Sequence, residues 1–318
     1  MKIVFLDADT MGDVSLAPIE RYGELVCYGR STADEALERV GDCDVLIVNK
    51  VRVTPELIDA APSLKLICEA ATGVNNIDLD YAQAKGIPVR NAVGYPTDSV
   101  VQATFMHLLS LAGNSPYYDE AVKSGNYSNG GIFTDVTVNW TELSGKKMGI
   151  IGLGNIGYKV ARVAEAFGMQ VSYFSTSGTS HCKEYPSLPL DELLSQSDVV
   201  SVHAPLNERT SGLVGRRELG LMKKTAIIIN MGRGGIIDES ALAEALDAGA
   251  LHGAALDVFC TEPLPADNPL MKVRFPQRLR LSPHVAWASV EARARLVDMI
   301  ADNIGNAFTK TRFTDVNH

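Results

Sequence analysis

Short apolar runs recur along this chain, separated by amphipathic stretches. KIVFLD (2–7), ELVCYG (24–29), DVLIVN (44–49), LKLICEA (64–70) and PVRN (88–91) read as strands, with helices expected near 13–22, 33–40, 55–61 and 78–85. A second series opens at Met148–Ile151 and continues through Gln170–Phe174, DVVSVHA (198–204), TAIIIN (225–230), HGAALDV (252–258) and RLRLS (278–282). Strands this short and uniformly apolar belong to sheets covered by helices on both faces. Their alternation with helices implies parallel pairing. The pattern therefore predicts an α/β protein with two parallel sheets.

Between the two series, Tyr95-Pro96 marks a turn. Ser99 with Gln102 offers a capping box for a helix running to about Ala112. Near the other end, Ser289 to Phe308 carries Val290, Ala294, Val297, Ala301, Ile304 and Phe308 on one helical face. Residues 113–145, rich in Gly, Asn, Ser and Tyr, have no clear period and are expected to form an arm or a dimer-contacting excursion.

Composition narrows the class. The chain has 318 residues, 46% hydrophobic and 21% charged, which suits a globular protein of two domains. A net charge of −9 argues against nucleic acid or an anionic membrane as the main partner. Five cysteines without a CxxC pair suggest a reduced, cytoplasmic protein. The first apolar run is too short for a signal peptide, and no run is long enough to span a membrane. No metal-ligand spacing stands out.

Two groups of residues carry candidate chemistry. Met148–Ile151 feeds into Gly152, Gly154 and Gly157, spaced G-x-G-x-x-G, and a helix from Ile156 to Phe167 and a further strand follow. This is the dinucleotide fingerprint in its strand–turn–helix–strand setting, where the helix N-terminus meets the pyrophosphate. Farther on, Arg233, Glu262 and His284 each lie just past the end of an apolar run. In parallel sheets, ligands bind outside the carboxyl ends of the strands. Arg can hold a carboxylate bidentately, and a carboxylate beside an imidazole favours its protonated form. Together these groups suit the reduction of an α-keto acid by a bound hydride donor. Taken singly, Arg233 reads equally as a surface turn residue, Glu262 as an acid opening a helix and His284 as a strand-end cap.

Seven segments, in this order, resemble the D-isomer-specific 2-hydroxyacid dehydrogenases, closest to the glycerate dehydrogenase and hydroxypyruvate reductase branch. They are ATGVNNID (71–78), PTDSVVQATFMHLL (96–109), ELSGKKMGIIGLGNIG (142–157), DVVSVHAPLNERTSGLV (198–214), INMGRGGIIDESAL (229–242), LDVFCTEPLP (256–265) and SPHVAW (282–287). The resemblance implies two Rossmann-like domains with the active site in the cleft between them. The substrate domain (1–98 and 288–318) would be discontinuous and flavodoxin-like, and residues 99–287 would bind the dinucleotide. It also implies a homodimer formed through the dinucleotide-binding domain, acting on a small keto or hydroxy acid.

The resemblance assigns roles by position. Arg233 becomes the carboxylate clamp, His284 the acid or base, and Glu262 its partner. The cofactor would meet Gly152, Gly154, Asn155, Ile156, Gly157, Ser175, Thr176, His203, Ala204, Pro205, Thr210, Met231, Gly232 and Asp257, with Thr104 on the nicotinamide side. The substrate would meet Lys50, Thr72, Gly73, Val74, Arg233, His284 and Trp287. D-lactate or phosphoglycerate specificity, or a dinucleotide-sensing corepressor-like protein, are the alternatives. A chain ending at His318 is expected to lack an appended regulatory domain, which weighs against the phosphoglycerate type. A carboxylate at Glu262, where glutamine would be needed, weighs against formate oxidation.

One position departs from the pattern. Binding of NAD normally uses an acid at the end of the second strand, on the ribose 2′-hydroxyl. Ser175 stands there, and no acid follows until Glu184. Without that carboxylate a 2′-phosphate meets no repulsion, so the cofactor is expected to be NAD or NADP, with NADPH accepted. His181 or Lys183 would supply the charge.

Overall fold

The computed structural model describes residues 1–180 and 182–309. It divides the chain into two compact units: Met1–Pro96 with the helix Val290–Thr309, and Thr97–Trp287.

The first unit holds β1 (Lys2–Phe5), β2 (Glu24–Cys27), β3 (Val45–Val48), β4 (Leu66–Glu69) and β5 (Val89–Arg90), all parallel, in the order β2-β1-β3-β4-β5. This is the flavodoxin-like strand order. Every residue of β3 and β4 is buried, as the uniformly apolar runs require. The helix Ala33–Val40 starts where Thr32 and Glu35 cap it reciprocally. The helix Val290–Thr309 is tied to this unit by three polar contacts to carbonyls. Arg293 Nη1 donates to Met11 O (2.6 Å), Arg295 Nη2 to Tyr95 O (3.0 Å) and Asn303 Nδ2 to Asn91 O (3.0 Å).

The helix expected near 13–22 shrinks to a single turn, Ala17–Glu20. A 3-10 turn at Ala8–Met11 stops at Gly12, whose φ is 62°, and one α-turn follows at Ala17–Glu20 with Pro18 in its first turn. Positive φ ends a right-handed helix, and proline suits only the first turn of a new one.

The second unit holds β6 (Lys147–Ile151), β7 (Gln170–Phe174), β8 (Val199–Val202), β9 (Ile227–Asn230), β10 (Gly253–Leu256) and β11 (Leu279–Leu281), again parallel, in the order β11-β10-β9-β8-β6-β7. Alternate residues face opposite layers. Val200, Ile228 and Ala254 join one core cluster, while Val199, Ile227, Ile229 and Ala255 join the other. The strand order reverses direction between β6 and β8, the place where such sheets bind ligands.

Two expectations shift here. The helix Thr97–Ala112 begins before Ser99, which is buried in its first turn and donates to Ala286 O at 2.6 Å. Residues 113–145 include the helices Ser115–Lys123 and Asn126–Asn129. Beyond them an exposed apolar segment includes Phe133 (89% exposed), Val136 and Trp140. Among the described residues no helix is long and apolar enough to cross a membrane, and no cluster of potential metal ligands occurs.

The carboxyl edge of the first sheet contains two buried acids. The Asp7 carboxylate accepts backbone N–H groups from Asn49 (2.9 Å), Lys50 (2.6 Å) and Val51 (3.0 Å), fixing the loop after β3. Glu69 accepts from Asn76 Nδ2 at 2.9 Å, and the same amide donates to Val51 O at 3.0 Å. The loops after β3 and β4 are thereby stitched together. Burial, with the nearby Asp7 charge adding to it, pushes the Glu69 carboxyl up to about 9.

Glu69 titrates near 4.5 when exposed, so its folded value lies above its unfolded one. The associated destabilisation is absent in acid, begins as pH rises past that lower value and grows until about 9. Glu69→Gln removes this slope. Thermal melts from pH 5 to pH 8.5 are therefore expected to show the variant gaining on the native protein as pH rises. A constant difference in Tm across that range would contradict the assignment.

Candidate active site

The glycine loop lies at the end of β6. Gly152 has φ 89°, and a Cβ built there would sit 2.9 Å from the Ala204 backbone. At Gly157 a Cβ would sit 2.3 Å from Gly152 O, so the helix can press against the turn only through glycine. At Gly154, by contrast, a Cβ meets nothing within 4 Å. The loop is closed by glycine where chain meets chain and open at its middle, as a cradle for pyrophosphate would be. Gly154 is also the N-cap of the helix Asn155–Ala166, and it offers no side chain of its own to the first-turn N–H groups. Asn155 is exposed and Ile156 half-buried at this turn.

The neighbouring loops fit the same ligand. Gly152 N donates to Phe174 O at 3.1 Å, which sets Ser175 and Thr176 beside the glycine turn. His203, Ala204 and Pro205 follow β8. His203 Nε2 contacts Ser201 Oγ at 2.8 Å, while its buried Nδ1 has no partner among the described residues. Burial pushes this imidazole down to about 3, so it is neutral at physiological pH. Met231 is buried after β9, with Gly232 half-buried beside it. These residues could hold a nicotinamide dinucleotide, offering an open glycine cradle, a helix N-terminus and a neutral imidazole.

Three expected cofactor contacts turn inward instead. Thr104 is fully buried, with its hydroxyl donated to Val100 O within its own helix. Thr210 is also fully buried; its Oγ1 donates to Pro205 O at 2.6 Å and accepts from Asn207 N at 2.9 Å, bracing the loop after β8. Asp257 commits its carboxylate to the chain. Ser282 Oγ (2.6 Å) and Val285 N (2.9 Å) donate to Oδ1, and Ala286 N (2.8 Å) donates to Oδ2. Short apolar-strand endings do not distinguish a residue facing a ligand from one folded back on its own loop.

Asp257 shapes the catalytic candidate. His284 sits in the left-handed region, with φ 53°. For a residue with a Cβ that conformation costs on the order of 1 kcal/mol. The Asp257 carboxylate offsets this by holding the residues on both sides, and Asp257 O accepts His284 N at 2.7 Å. Behind the loop, the buried His107 Nε2 contacts Ser282 Oγ at 3.0 Å.

Held this way, His284 Nδ1 meets Glu262 Oε2 at 2.6 Å. Glu262 Oε1 accepts from Phe259 N at 2.9 Å, so the carboxylate is itself oriented. The Arg233 loop packs on the same turn, since a Cβ at Gly234 would lie 1.8 Å from Phe259 O. Asn230 bends that loop, accepting from Gly232 N at 3.0 Å and donating Nδ2 to Arg233 O at 2.9 Å. Arg233 Nη1 donates to Gly232 O at 2.9 Å. β9, β10 and β11 are adjacent, with Leu256 paired to both Asn230 and Leu281. The three residues thus follow neighbouring strands at one sheet edge. Nothing in the sequence pattern separated Asn230 from the strand it ends.

In the first unit, Lys50 is exposed after β3. Thr72 Oγ1 donates to Ala92 O at 2.8 Å, while Gly73 and Val74 are half-buried in the loop after β4. Trp287 is half-buried at the end of the second unit. Cys260 is exposed. His181 lies outside the described residues.

Comparison with known proteins agrees with this geometry. The model of the D-isomer specific 2-hydroxyacid dehydrogenase NAD binding domain matches residues 105–286. Hydroxypyruvate reductase of Blautia hydrogenotrophica is 36% identical over 313 residues, covering 96% of each chain. Glyoxylate reductase of Korarchaeum cryptofilum is 37% identical over 302 residues, covering 91% of this chain and 88% of its own. The solved NADPH-dependent glyoxylate/hydroxypyruvate reductase of Sinorhizobium meliloti, in complex with NADP and malonate, is 29% identical with a TM-score of 0.79 over 97% of this chain and 93% of that one. A glycine-cradled dinucleotide site, an oriented Glu–His pair and an arginine loop at one sheet edge, together with these likenesses, establish that the chain belongs to the D-isomer-specific 2-hydroxyacid dehydrogenases.

Proposed function

We propose that this enzyme reduces small 2-keto acids, hydroxypyruvate and glyoxylate foremost, and in the reverse direction oxidises D-glycerate. The observation that carries the reading is the 2.6 Å contact of His284 Nδ1 with Glu262 Oε2 at the sheet edge that also carries Arg233. The bound reduced dinucleotide supplies the hydride. Reduction leaves negative charge on the former ketone oxygen, and the His284 Nε2–H provides the proton for it. Glu262 stabilises the charged imidazole and fixes Nδ1 as the protonated nitrogen that faces it. Arg233 binds the substrate carboxylate through its planar fork and so orients the ketone, which is where rate is gained. Lys50 and the backbone of Thr72, Gly73 and Val74 are assigned to the same carboxylate, and Trp287 to the substrate side chain. The dinucleotide-sensing alternative has less support, since sensing needs no oriented proton donor.

The cofactor reading extends to NADPH. Ser175 stands where an acid would select NAD, and Glu184 is engaged elsewhere, accepting from Arg162 Nη1 and Tyr158 Oη, each at 2.6 Å. We also assign the enzyme to the cytoplasm, where its five unpaired cysteines suit a reducing milieu. A homodimer forms, on this reading, through the dinucleotide-binding unit. Ile132, Phe133, Val136 and Trp140 leave an apolar surface on that unit of the kind that marks interfaces.

Each assignment has a direct check. With hydroxypyruvate as substrate, His284→Ala is expected to lower kcat by about 10²- to 10⁴-fold with the fold intact, as general-acid loss does. Arg233→Lys is expected to raise KM at least tenfold, because a point charge replaces a bidentate fork. Native-like turnover in either variant would remove that residue from the mechanism. The ratio of kcat/KM for NADPH to that for NADH tests the cofactor reading, and a hundredfold advantage of NADH would overturn it. Sedimentation of the native protein is expected to give a dimer, and Phe133→Asp with Trp140→Asp a monomer. A monomeric native protein would refute the interface.

A further inference from the structure

The loop after β7 and the loop after β8 meet at a point that the activity described above does not explain. Phe174 closes β7 beside the glycine turn, and Ser175, Ser177 and Thr179 follow as a knot of hydroxyls. Ser175 Oγ lies 3.1 Å from Ser177 Oγ, and both hydroxyls donate to Thr179 O, at 2.5 Å and 3.1 Å, bonds that a phosphate would exchange for its own oxygens. Arg209, from the loop after β8, reaches this knot across the sheet edge. Its Nη1 donates to Ser177 O at 2.8 Å. The arginine loop is itself braced, with Arg209 N donating to Asn207 Oδ1 at 2.9 Å and Thr210 buried behind it. Among the described residues no carboxylate lies within ion-pairing distance of the Arg209 guanidinium.

We infer that Arg209, with the hydroxyls of Ser175 and Ser177, forms a site for the 2′-phosphate of NADPH. The inference rests on the NADPH reading above and names the residues that would carry it. The argument is chemical. The end of the second strand in this fold faces the adenosine ribose at its 2′ position. A dianion there needs hydrogen-bond donors, at least one fixed cation and no nearby carboxylate. Ser175 supplies a hydroxyl where an acid would repel. Arg209 spends one of its five N–H groups on Ser177 O, and that bond aims the planar group at the loop. An arginine supplied from a separate strand's loop also explains why the residues directly after Ser175 include no arginine.

Equilibrium binding separates this site from a mere brace. Quenching of intrinsic tryptophan fluorescence gives Kd for NADPH and NADH, and competition gives Kd for 2′,5′-ADP and 5′-ADP. Arg209→Gln, which can still donate to Ser177 O but has no charge, is expected to weaken NADPH and 2′,5′-ADP at least tenfold. NADH and 5′-ADP should change less than threefold. Ser175→Asp is expected to weaken NADPH by a similar factor while leaving NADH binding intact or tighter. Equal losses for phosphorylated and unphosphorylated ligands in Arg209→Gln, or no loss for either, would overturn the site. If the native protein binds NADPH well and Arg209→Gln is unaffected, the site fails and the NADPH reading stands. If the native protein binds NADPH a hundredfold more weakly than NADH, both fail, and keto-acid turnover with NADH still reports the reaction.

Discussion

A buried carboxylate that spends its oxygens on its own backbone sets the geometry of this enzyme. Asp257 follows β10 and accepts hydrogen bonds from the residues on either side of His284. Each bond to a charged acceptor contributes roughly 1.5–3 kcal/mol, enough to hold an imidazole in a backbone conformation that a free chain avoids. Once His284 is held, the rest follows by contact. Glu262 meets its Nδ1, Phe259 N orients Glu262, and the Arg233 loop packs against Phe259. The chemistry needs three side chains in register, and the register comes from backbone hydrogen bonds and close glycine contacts.

The same economy governs the dinucleotide side. Gly152 and Gly157 are small because chain approaches chain, while Gly154 is small where nothing of the protein approaches it. The contrast separates glycine that serves packing from glycine that leaves room for a ligand. The Nδ1 of the buried, neutral His203 has no partner among the described residues. An unmet donor or acceptor in such a place costs stability unless a bound molecule satisfies it.

Much of this was legible in the sequence. Apolar runs such as VLIV and LICE marked buried strands because both faces of each sheet are covered. G-x-G-x-x-G marked the dinucleotide loop because its steric demands are local. Arg233, Glu262 and His284 were legible as residues just beyond strand ends. What escaped were contacts spanning long separations. Arg209 reaches Ser177 across 32 residues, and Asp257 holds Ala286 across 29. Neither leaves a periodic trace. Thr104 and Thr210 left another ambiguity: threonine is at home both lining a site and bonding back to its own backbone, and here each hydroxyl bonds to a backbone carbonyl. The helix expected at 13–22 shrank to Ala17–Glu20, because Pro18 is tolerated only in the first turn of a helix and so bars an earlier start.

The first sheet is completed by a helix that comes two hundred residues after its last strand, counted roughly from Arg90 to Val290. During synthesis at about 5–20 residues per second, that helix emerges many seconds after the five strands of the sheet it packs on. The glycine-loop unit, whose six strands are contiguous, has all of its partners earlier. Folding on the ribosome is therefore expected to be out of order: the later-encoded unit matures first, while Leu66–Glu69 and its neighbours wait uncovered for Arg293, Arg295 and Asn303 to arrive. For this chain the interval of greatest exposure to aggregation and to chaperones belongs to its first hundred residues.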